Sequence, residues 1–493
     1  MIKTLSGLFG TKENRVWKPQ LENRGAHPVS LLIVALVGWL GYTTGILFET
    51  TLIVIMTGVV VYEFVKRMDQ GLPLMQVAAL LAVMQWLVGP WLTYHVDLDY
   101  IFYFMRGDSA TYFSYAFPGT AAFVLGLLAV GVSPRQRVLL RKVDHARFVE
   151  VGMILALIGF AGGLGEKLVP GGLGFVFFLL SQLRYVATLY FVFSRHPLRW
   201  LFAGLSVLPL FTGSTEMGMF HDLLLWMGIL VCYWYALKRR RLWIAIVFLV
   251  VALAVVFTIQ GIKISYRDKV WNEEKGSLTK EIGDFLSNPH EMFSRETLSN
   301  AVIRINQGWI ISAILQNVPS SEPYAMGDTI GDAVSASLLP RMLVRDKTTA
   351  GGQVNFRRFT GLPIADTTSM GLSLLGEAYA NVGPVAGVLV MLLFGGFMSL
   401  SYGLCLVWSV KHPTFYFWIP VIFCQTIKAE TDLVTVLNHI TKGSIVVFGM
   451  YWLICIQLLP AVRARKGSRR RILPRPASRF AKQRLAEKLR VES

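Results

Sequence analysis

Residues 384–406 read PVAGVLVMLLFGGFMSLSYGLCL, an apolar run without a charged side chain. A helix needs about 20 such residues to cross the hydrocarbon core of a bilayer, so this stretch predicts a membrane-spanning helix. Similar runs recur along the 493-residue chain, of which 54% is hydrophobic and only 16% charged. Because soluble domains carry roughly 25% charged residues, this composition predicts a polytopic membrane protein. It argues against a soluble enzyme, a disordered chain and a secreted disulfide scaffold.

The hydropathy pattern divides the chain into twelve predicted spans. They cover residues 28–44, 46–65, 73–95, 115–132, 148–165, 173–193, 199–212, 218–237, 242–262, 384–406, 414–427 and 443–462. The first two are poorly separated, and 199–212 is short for a span. The predicted fold is therefore an all-α membrane bundle of about twelve transmembrane helices.

Basic residues are distributed unevenly between the two sides of this map. If both termini are cytoplasmic, the inner segments hold 30 Lys and Arg residues and the short outer loops hold four. Positively charged loops tend to remain in the cytoplasm, so the pattern predicts cytoplasmic N- and C-termini. The net charge of +18 follows from these loops and from the tail, which we interpret as a topology anchor rather than a nucleic-acid-binding arm.

One long segment interrupts the series of spans. The predicted organisation is an N-terminal segment 1–27, spans one to nine within 28–262, an extracytoplasmic loop 263–383, spans ten to twelve within 384–462, and a basic cytoplasmic tail 463–493. The loop is too long for a passive connection. Apolar residues recur at helical spacing after the predicted N-cap Ser294, at Leu298, Val302, Ile305, Trp309 and Ala313. We expect a cap of short helices against the mouth of the bundle.

Arg184 lies within a predicted span, where a charged side chain costs about 2.5–3.5 kcal/mol on insertion scales. It either contacts an anion, such as a phosphate, or pairs with a carboxylate such as Glu216 or Asp222. Residues 211–218 then form a predicted polar break. A break at membrane depth is tolerated where it lines a cavity, so Glu216 and His221 are candidate general bases. A solvated turn is the alternative.

Six cationic side chains occur in the loop within residues 304–358. They are Arg304, Arg341, Arg345, Lys347, Arg357 and Arg358. Guanidinium groups bind phosphate oxygens in a bidentate manner, and Thr367-Thr368-Ser369 has the composition of a helix start, whose free N–H groups favour an anion. The alternative is a solvated face balanced by the thirteen acidic residues of 263–383. The chain has no HExxH motif or Cys/His cluster, so neither a catalytic metal nor a cofactor is predicted.

The order of motifs within 304–384 is informative. Arg304-Ile305-Asn306-Gln307 is followed by Pro319, Tyr324 and Gly327-Asp328-Thr329, then by Leu339-Pro340-Arg341, by the TTS motif, and by LGEAYANVG at 375–383. This order resembles bacterial O-antigen and exopolysaccharide repeat-unit polymerases of the Wzy type, in the O-antigen polymerase/ligase superfamily. The resemblance implies a glycosyltransferase C-type-like bundle in the bacterial inner membrane.

The resemblance also implies a reaction. Polyprenyl-pyrophosphate-linked glycan is transferred to the non-reducing end of a second lipid-linked repeat unit, without a sugar nucleotide. Arg304, Arg341 and either Arg357 or Arg358 are assigned to the leaving pyrophosphate, with Arg184, Arg345 and Lys347 as further candidates. Electrostatic stabilisation of that leaving group is the expected main contribution.

Glu377, in the LGEAYANVG motif, is the first candidate proton acceptor, with Glu216, His221, Glu430 and Asp432 as others. Glu377 alternatively caps a helix. Tyr379 and Trp309 either stack on sugar or pack in the core. Met342-Leu343-Val344 departs from the aromatic residue that often follows in the family.

Implied partners are the lipid-linked oligosaccharide, membrane lipid, a chain-length regulator and a flippase, and no nucleic acid. The alternatives are an O-antigen-type ligase, a 12-helix lipid-linked oligosaccharide transporter and a structural scaffold.

Overall fold

A computed structural model gives the architecture of most of the chain. It describes residues 21–23, 25–44, 48–68, 71–96, 103–129, 131–134, 139–140, 143, 145, 147–169, 173–217, 220–238, 243, 247, 250–251, 295–338, 352–365 and 368–459. The predicted tail 463–493, nearly all of the predicted span 242–262, and the N-cap Ser294 lie outside the described residues.

The first half of the described chain is a series of long helices. They are α1 (Pro28–Thr44), α2 (Glu49–Met68), α3 (Leu74–His95), α4 (Ser109–Ala129), α5 (Phe148–Leu168), α6 (Gly174–Ser181), α7 (Leu183–Phe193), α8 (Arg199–Met217) and α9 (His221–Lys238). Two short strands, β1 (Leu21–Asn23) and β2 (Val132–Pro134), pair in an antiparallel ladder with Glu22 opposite Ser133.

Short helices form the inserted loop, and longer helices follow it. They are α10 (Arg295–Ile305), α11 (Gly308–Asn317), α12 (Asp328–Leu338), α13 (Gln353–Thr360), α14 (Ser373–Lys411), a 3₁₀ turn (Pro413–Phe417), α15 (Ile419–Phe423) and α16 (Leu433–Leu458). Residues 295–372 are called the cap below. Within the described residues, the cap contains the four short helices α10 to α13.

Six helical segments of the described residues are long and apolar enough to cross a membrane. They are α3, α4, α5, α6 with α7, α14 and α16. Their length and composition define an all-helical membrane protein. Helices α1, α2, α8 and α9 also lie on predicted spans, and the observed bounds differ from the predicted ones by a few residues at most ends.

The structure corrects two predicted boundaries. Helix α8 continues through Met217, so the expected polar break after residue 212 is wrong. Helix α16 begins at Leu433 rather than at residue 443, because the Asp432 carboxylate caps it by accepting the Thr435 N–H at 2.9 Å. Hydropathy missed this first part because its residues include Asn438, His439 and Lys442.

A sharp bend divides α14 at Gly383, whose φ is +76°. A Cβ atom placed on Gly387 would lie 3.4 Å from the carbonyl carbon of Ala378. Nine residues of straight helix span roughly 13 Å, so the two parts of α14 fold back toward each other. Of the predicted helix start Thr367-Thr368-Ser369, Thr367 lies outside the described residues, and Thr368 and Ser369 are not helical, since α14 begins at Ser373.

The cap packs against the second half of α3. The Gln307 N–H donates to the Gln85 carbonyl at 3.0 Å, and Asn306 Nδ2 donates to Thr93 Oγ1 at 2.8 Å. Asn306 Oδ1 also accepts the Gly308 N–H at 2.7 Å, which interrupts the single helix expected from Leu298 to Ala313. This end of the bundle is called the cap end, and the end near β1 and β2 the opposite end.

The core of the opposite end is aromatic and contains an irregular segment. Residues 413–423 form only short turns and include Pro413 and Pro420. Irregular backbone at membrane depth must be bonded within the protein, and here tyrosines supply the bonds. Tyr233 donates to the Tyr416 carbonyl, and Tyr402 donates to the Leu72 carbonyl at 2.6 Å.

Candidate functional site

Glu377 occupies a buried junction of three elements and is 2% exposed. Its Oε2 accepts the backbone N–H of Leu433, the first residue of α16, at 2.9 Å. Its Oε1 accepts the Thr329 hydroxyl of α12 at 3.4 Å. A carboxylate at a helix N-terminus is favoured by the helix dipole, so these contacts give Glu377 a structural position at the start of α16.

The other residues of the LGEAYANVG motif fasten the cap to α14. Asn381 Nδ2 donates to Thr329 Oγ1 at 2.7 Å, and the Tyr379 hydroxyl donates to the Val318 carbonyl at 3.4 Å. The Met326 N–H donates to the Asn381 carbonyl at 2.8 Å. We call this set of contacts the motif clasp. It consists of Glu377, Tyr379, Asn381 and Gly383 with their partners in 318–329. Tyr379 is buried, and its hydroxyl bonds to the Val318 carbonyl of the cap.

Arg357 and Arg358 lie on the exposed side of α13, whose Phe356 and Phe359 are buried. Arg358 forms an ion pair with Glu322, and Arg357 donates to the Ile364 carbonyl. These two predicted anion-binding residues therefore have partners within the cap. Arg341, Arg345 and Lys347 lie outside the described residues.

Arg304 lies in the last turn of α10, where the cap meets the loop between α3 and α4. Asn306 contacts Met105 of that loop through a 3.5 Å hydrogen bond to Sδ, and Arg106 donates its N–H to Ser312 Oγ at 2.9 Å. The structure thus places the motif Arg304-Ile305-Asn306-Gln307 beside the loop that contains a second arginine, Arg106.

Sequence analysis missed Arg106 because it counted this residue only as a loop charge. Burial lowers the pKa of the Arg106 guanidinium from its usual value. Its Nη1 is buried without a hydrogen-bond partner in the part of the chain that the structure describes, and Phe104 lies 4.6 Å from the guanidinium carbon.

A group of charged side chains lies at the start of α9 and in the segment before α16. Lys428 Nζ is 2.9 Å from Asp222 Oδ1, and His221 Nδ1 is 3.2 Å from Glu430 Oε1. His221 and Glu430 are 40% and 39% exposed, so water and solutes reach them. We call His221, Asp222, Lys428 and Glu430 the polar cluster.

Arg184 lies just after the break between α6 and α7 at Gln182. Gln182 Oε1 accepts the Trp226 indole N–H at 3.0 Å. Among the described carboxylates, Glu166 lies near enough to interact with the Arg184 charge, and Asp222 pairs with Lys428. Arg184 Nε is buried and has no hydrogen-bond partner among the described residues.

The predicted base Glu216 lies in the last turn of α8, and its side chain is not among the described ones. His221 begins α9. Of the predicted proton acceptors, the structure therefore brings together His221 and Glu430, and it places Glu377 and Asp432 side by side at the start of α16.

His439 is a second residue that sequence analysis missed. It is 4% exposed and begins a π-helical turn, His439–Gly443, a feature frequent at functional sites. Its Nδ1 has no hydrogen-bond partner within the described chain, Phe175 packs 5.1 Å away, and the Asp222 and Lys428 charges act on it. A single histidine beside an apolar span does not by itself predict a buried imidazole in a π-helical turn.

One short segment joins the motif clasp to the polar cluster. Along Lys428–Leu433, Lys428 binds Asp222, Glu430 binds His221, and the Leu433 N–H binds Glu377. A Cβ atom on Gly371 would lie 3.0 Å from the Glu430 carbonyl oxygen, so the cap also contacts this segment. The arrangement offers cations and an accessible imidazole–carboxylate pair at one mouth of the bundle.

The fold and this site define a polytopic helical membrane protein with charged groups gathered below a cap. The chain matches the model of a domain of unknown function, DUF8712, over residues 103–402, and it belongs to that family. The matched region contains the motif clasp, Arg106 and Arg304, and ends before Lys428. No curated protein and no solved structure matches the chain.

Proposed function

We propose that this protein is a membrane glycosyltransferase that polymerises lipid-linked polysaccharide repeat units. It transfers polyprenyl-pyrophosphate-linked glycan to the non-reducing end of another lipid-linked unit in O-antigen, capsule or exopolysaccharide biosynthesis. The order of motifs in 304–384 supports this proposal. The observation that carries it is the segment Lys428–Leu433, which joins those motifs to an accessible His221–Glu430 pair at 3.2 Å.

A glycosyl transfer of this kind needs a proton acceptor and cations for the leaving group. His221 accepts the proton of the acceptor hydroxyl, and Glu430 stabilises the imidazolium that forms. The hydroxyl oxygen bonds to the anomeric carbon while the bond from that carbon to the pyrophosphate oxygen breaks. Polyprenyl pyrophosphate leaves with the electron pair, and its charge is stabilised by Arg304 and Arg341.

The proposal includes the membrane arrangement. The chain crosses the inner membrane twelve times in a glycosyltransferase C-type-like bundle, both termini are cytoplasmic, and the cap end faces outward. This orientation places the reaction where lipid-linked units await assembly. A flippase supplies those units, and a chain-length regulator acts on the product.

Reconstitution tests the reaction directly. Purified protein in proteoliposomes, mixed with lipid-linked repeat units and no nucleotide, is expected to give a ladder of glycan lengths on a gel. Single unextended units after incubation would contradict the proposed polymerase. Loss of the ladder on adding EDTA would contradict the prediction that no metal is needed. Transfer of glycan only to an added lipid A core would favour the ligase alternative.

Arginine variants test the leaving-group site. Arg304→Ala and Arg341→Ala are each expected to abolish polymer while single lipid-linked repeats accumulate, because the leaving charge loses its cations. The measurement is glycan length in cells, with protein level checked by immunoblot. Arg147→Ala serves as the control, since Arg147 is exposed at the opposite end. Normal chain length in both test variants would contradict the assigned role.

A further inference from the structure

A groove lies between α1 and α2 at the opposite end, far from the polar cluster. Its volume is about 330 Å³, and it is lined by His27, Val29, Ser30, Ile33, Gly58, Val59 and Tyr62. This volume falls at the lower end of the range for ligand pockets. Gly58 opens the groove, because no atom lies within 4 Å of a Cβ placed there.

The groove faces the hydrocarbon-exposed side of the helix pair. Leu32 and Val54 are 68% and 64% exposed, and Tyr62 is 55% exposed. In a membrane bundle, exposed apolar side chains of this kind contact lipid. The wall formed by Val29, Ile33 and Val59 is therefore suited to a hydrocarbon chain.

Polar groups gather where the groove meets the helix ends. The Val29 N–H is placed to donate to His27 Nδ1 at 3.3 Å, so the neutral imidazole carries its proton on Nε2 and is a donor there. Lys66 Nζ lies 5.8 Å from the centre of the Tyr62 ring and is 30% exposed. Imidazole, phenol and ammonium donors suit a phosphate at the membrane interface.

The one acidic side chain of this region, among the described residues, is turned inward. Glu63 is 4% exposed, and its Oε1 accepts the His27 N–H at 3.0 Å and the Ser30 hydroxyl at 2.6 Å. Its Oε2 lies 3.7 Å from Lys66. The carboxylate thus bonds α1 to α2 and holds the Lys66 ammonium at the edge of the groove, where the ammonium stays 30% exposed.

We propose that this groove binds one membrane glycerophospholipid, with an acyl chain along Ile33, Gly58 and Val59 and the phosphate beside His27 and Lys66. The site is independent of the proposed glycosyl transfer. It ties α1 and α2 to one lipid molecule at the end of the bundle that carries β1 and β2.

Lipid retention tests the proposal. Full-length protein is purified in mild detergent, given palmitoyl-oleoyl phosphatidylglycerol or phosphatidylethanolamine, and examined by native mass spectrometry. Wild-type protein is expected to retain one phospholipid. Gly58→Leu fills the groove and is expected to lower the retained fraction about tenfold. Gly204→Leu is the matched control, since Gly204 is also an open helical glycine, and it is expected to retain the lipid.

A second variant and a second probe test the headgroup contact. His27→Ala removes the imidazole but keeps the backbone bond to Glu63, and it is expected to weaken retention of both phospholipids. Dioleoylglycerol, which has no phosphate, is expected to bind weakly to wild-type protein. Equal lipid retention by Gly58→Leu and Gly204→Leu, or wild-type protein that retains no phospholipid, would overturn the proposal.

Discussion

At the scale of single residues, the predicted proton acceptor Glu377 is buried, whereas the predicted acceptors His221 and Glu430 are accessible. Glu377 is 2% exposed, and both of its carboxylate oxygens accept bonds from protein groups. The side chains of His221 and Glu430 are each about two-fifths exposed and contact each other. A general base must reach the proton of a substrate, so we assign proton transfer to His221 and structural support to Glu377.

Replacing Glu377 by Gln tests this structural role. The amide has one acceptor oxygen for two donors, the Leu433 N–H and the Thr329 hydroxyl, so the free energy of unfolding is expected to fall by about 1–3 kcal/mol. The measurement is thermal unfolding in detergent, beside Glu150→Gln, whose side chain is 57% exposed. Unchanged stability together with abolished glycan synthesis would instead restore Glu377 as a catalytic carboxylate.

Replacing His221 by Gln is expected to slow glycan extension 10²–10⁴-fold, roughly the contribution of a positioned base. Glu430→Gln is expected to slow it less, since the imidazole remains. The readout is the initial rate of ladder formation as a function of pH, with the stability of each variant measured in parallel. His196→Gln, at the opposite end, is the control. A His221→Gln enzyme with the wild-type rate would exclude this assignment.

At the scale of secondary-structure elements, interruptions of helices place the candidate site. The bend at Gly383 sets the first part of α14 against Tyr115 of α4 and Ile314 of α11. The break at Gln182 puts Arg184 at the start of α7. Asp432 and Glu377 together let α16 start immediately after the segment Lys428–Leu433. Each interruption is stabilised by a side-chain bond or by a close approach at a glycine.

Gly383→Ala tests the bend. Its φ of +76° is unfavourable for a residue with a Cβ, and that atom would lie 3.2 Å from the Tyr324 ring. The substitution is expected to lower stability by about 1–2 kcal/mol and to loosen the motif clasp. The same substitution at Gly396, which has open space around it in the same helix, is expected to be neutral or stabilising. Equal melting temperatures for the two variants would contradict this account of the bend.

At the scale of the whole molecule, the cap and the β1–β2 ladder mark two ends of the bundle. Their assignment to the two sides of a membrane rests on the basic residues of the short loops and termini, 30 in the inner segments against four in the short outer loops. The four native cysteines are buried, which makes the chain suitable for labelling single introduced thiols. Orientation is therefore directly measurable without altering the native cysteines.

Met326→Cys, in the cap at a position 81% exposed, is expected to react with a membrane-impermeant maleimide on intact spheroplasts. Arg147→Cys, at the opposite end and 47% exposed, is expected to react only after the membrane is opened. Wild-type protein gives the background. The reverse pattern would invert the orientation and place the polar cluster on the cytoplasmic side.

The sequence by itself determined the membrane class and the approximate positions of most of the long helices that the structure describes. Runs such as 384–406 must be helical in lipid, because backbone groups there have no water to bond, so composition alone fixes them. The hydropathy pattern could not predict that α16 begins at Leu433, because that start depends on hydrogen bonds to Asp432 and Glu377 rather than on apolar residues.

The tertiary structure alone decided which charged residues lie together. Lys428 and Asp222 are 206 residues apart in the chain, yet their side chains bond at 2.9 Å. A sequence motif records residue types and spacing, whereas an ion pair depends on the approach of separate helices. For this reason the motif containing Glu377 was visible from the sequence, but its role as a clasp, and the neighbourhoods of Arg106 and His439, emerged only from packing.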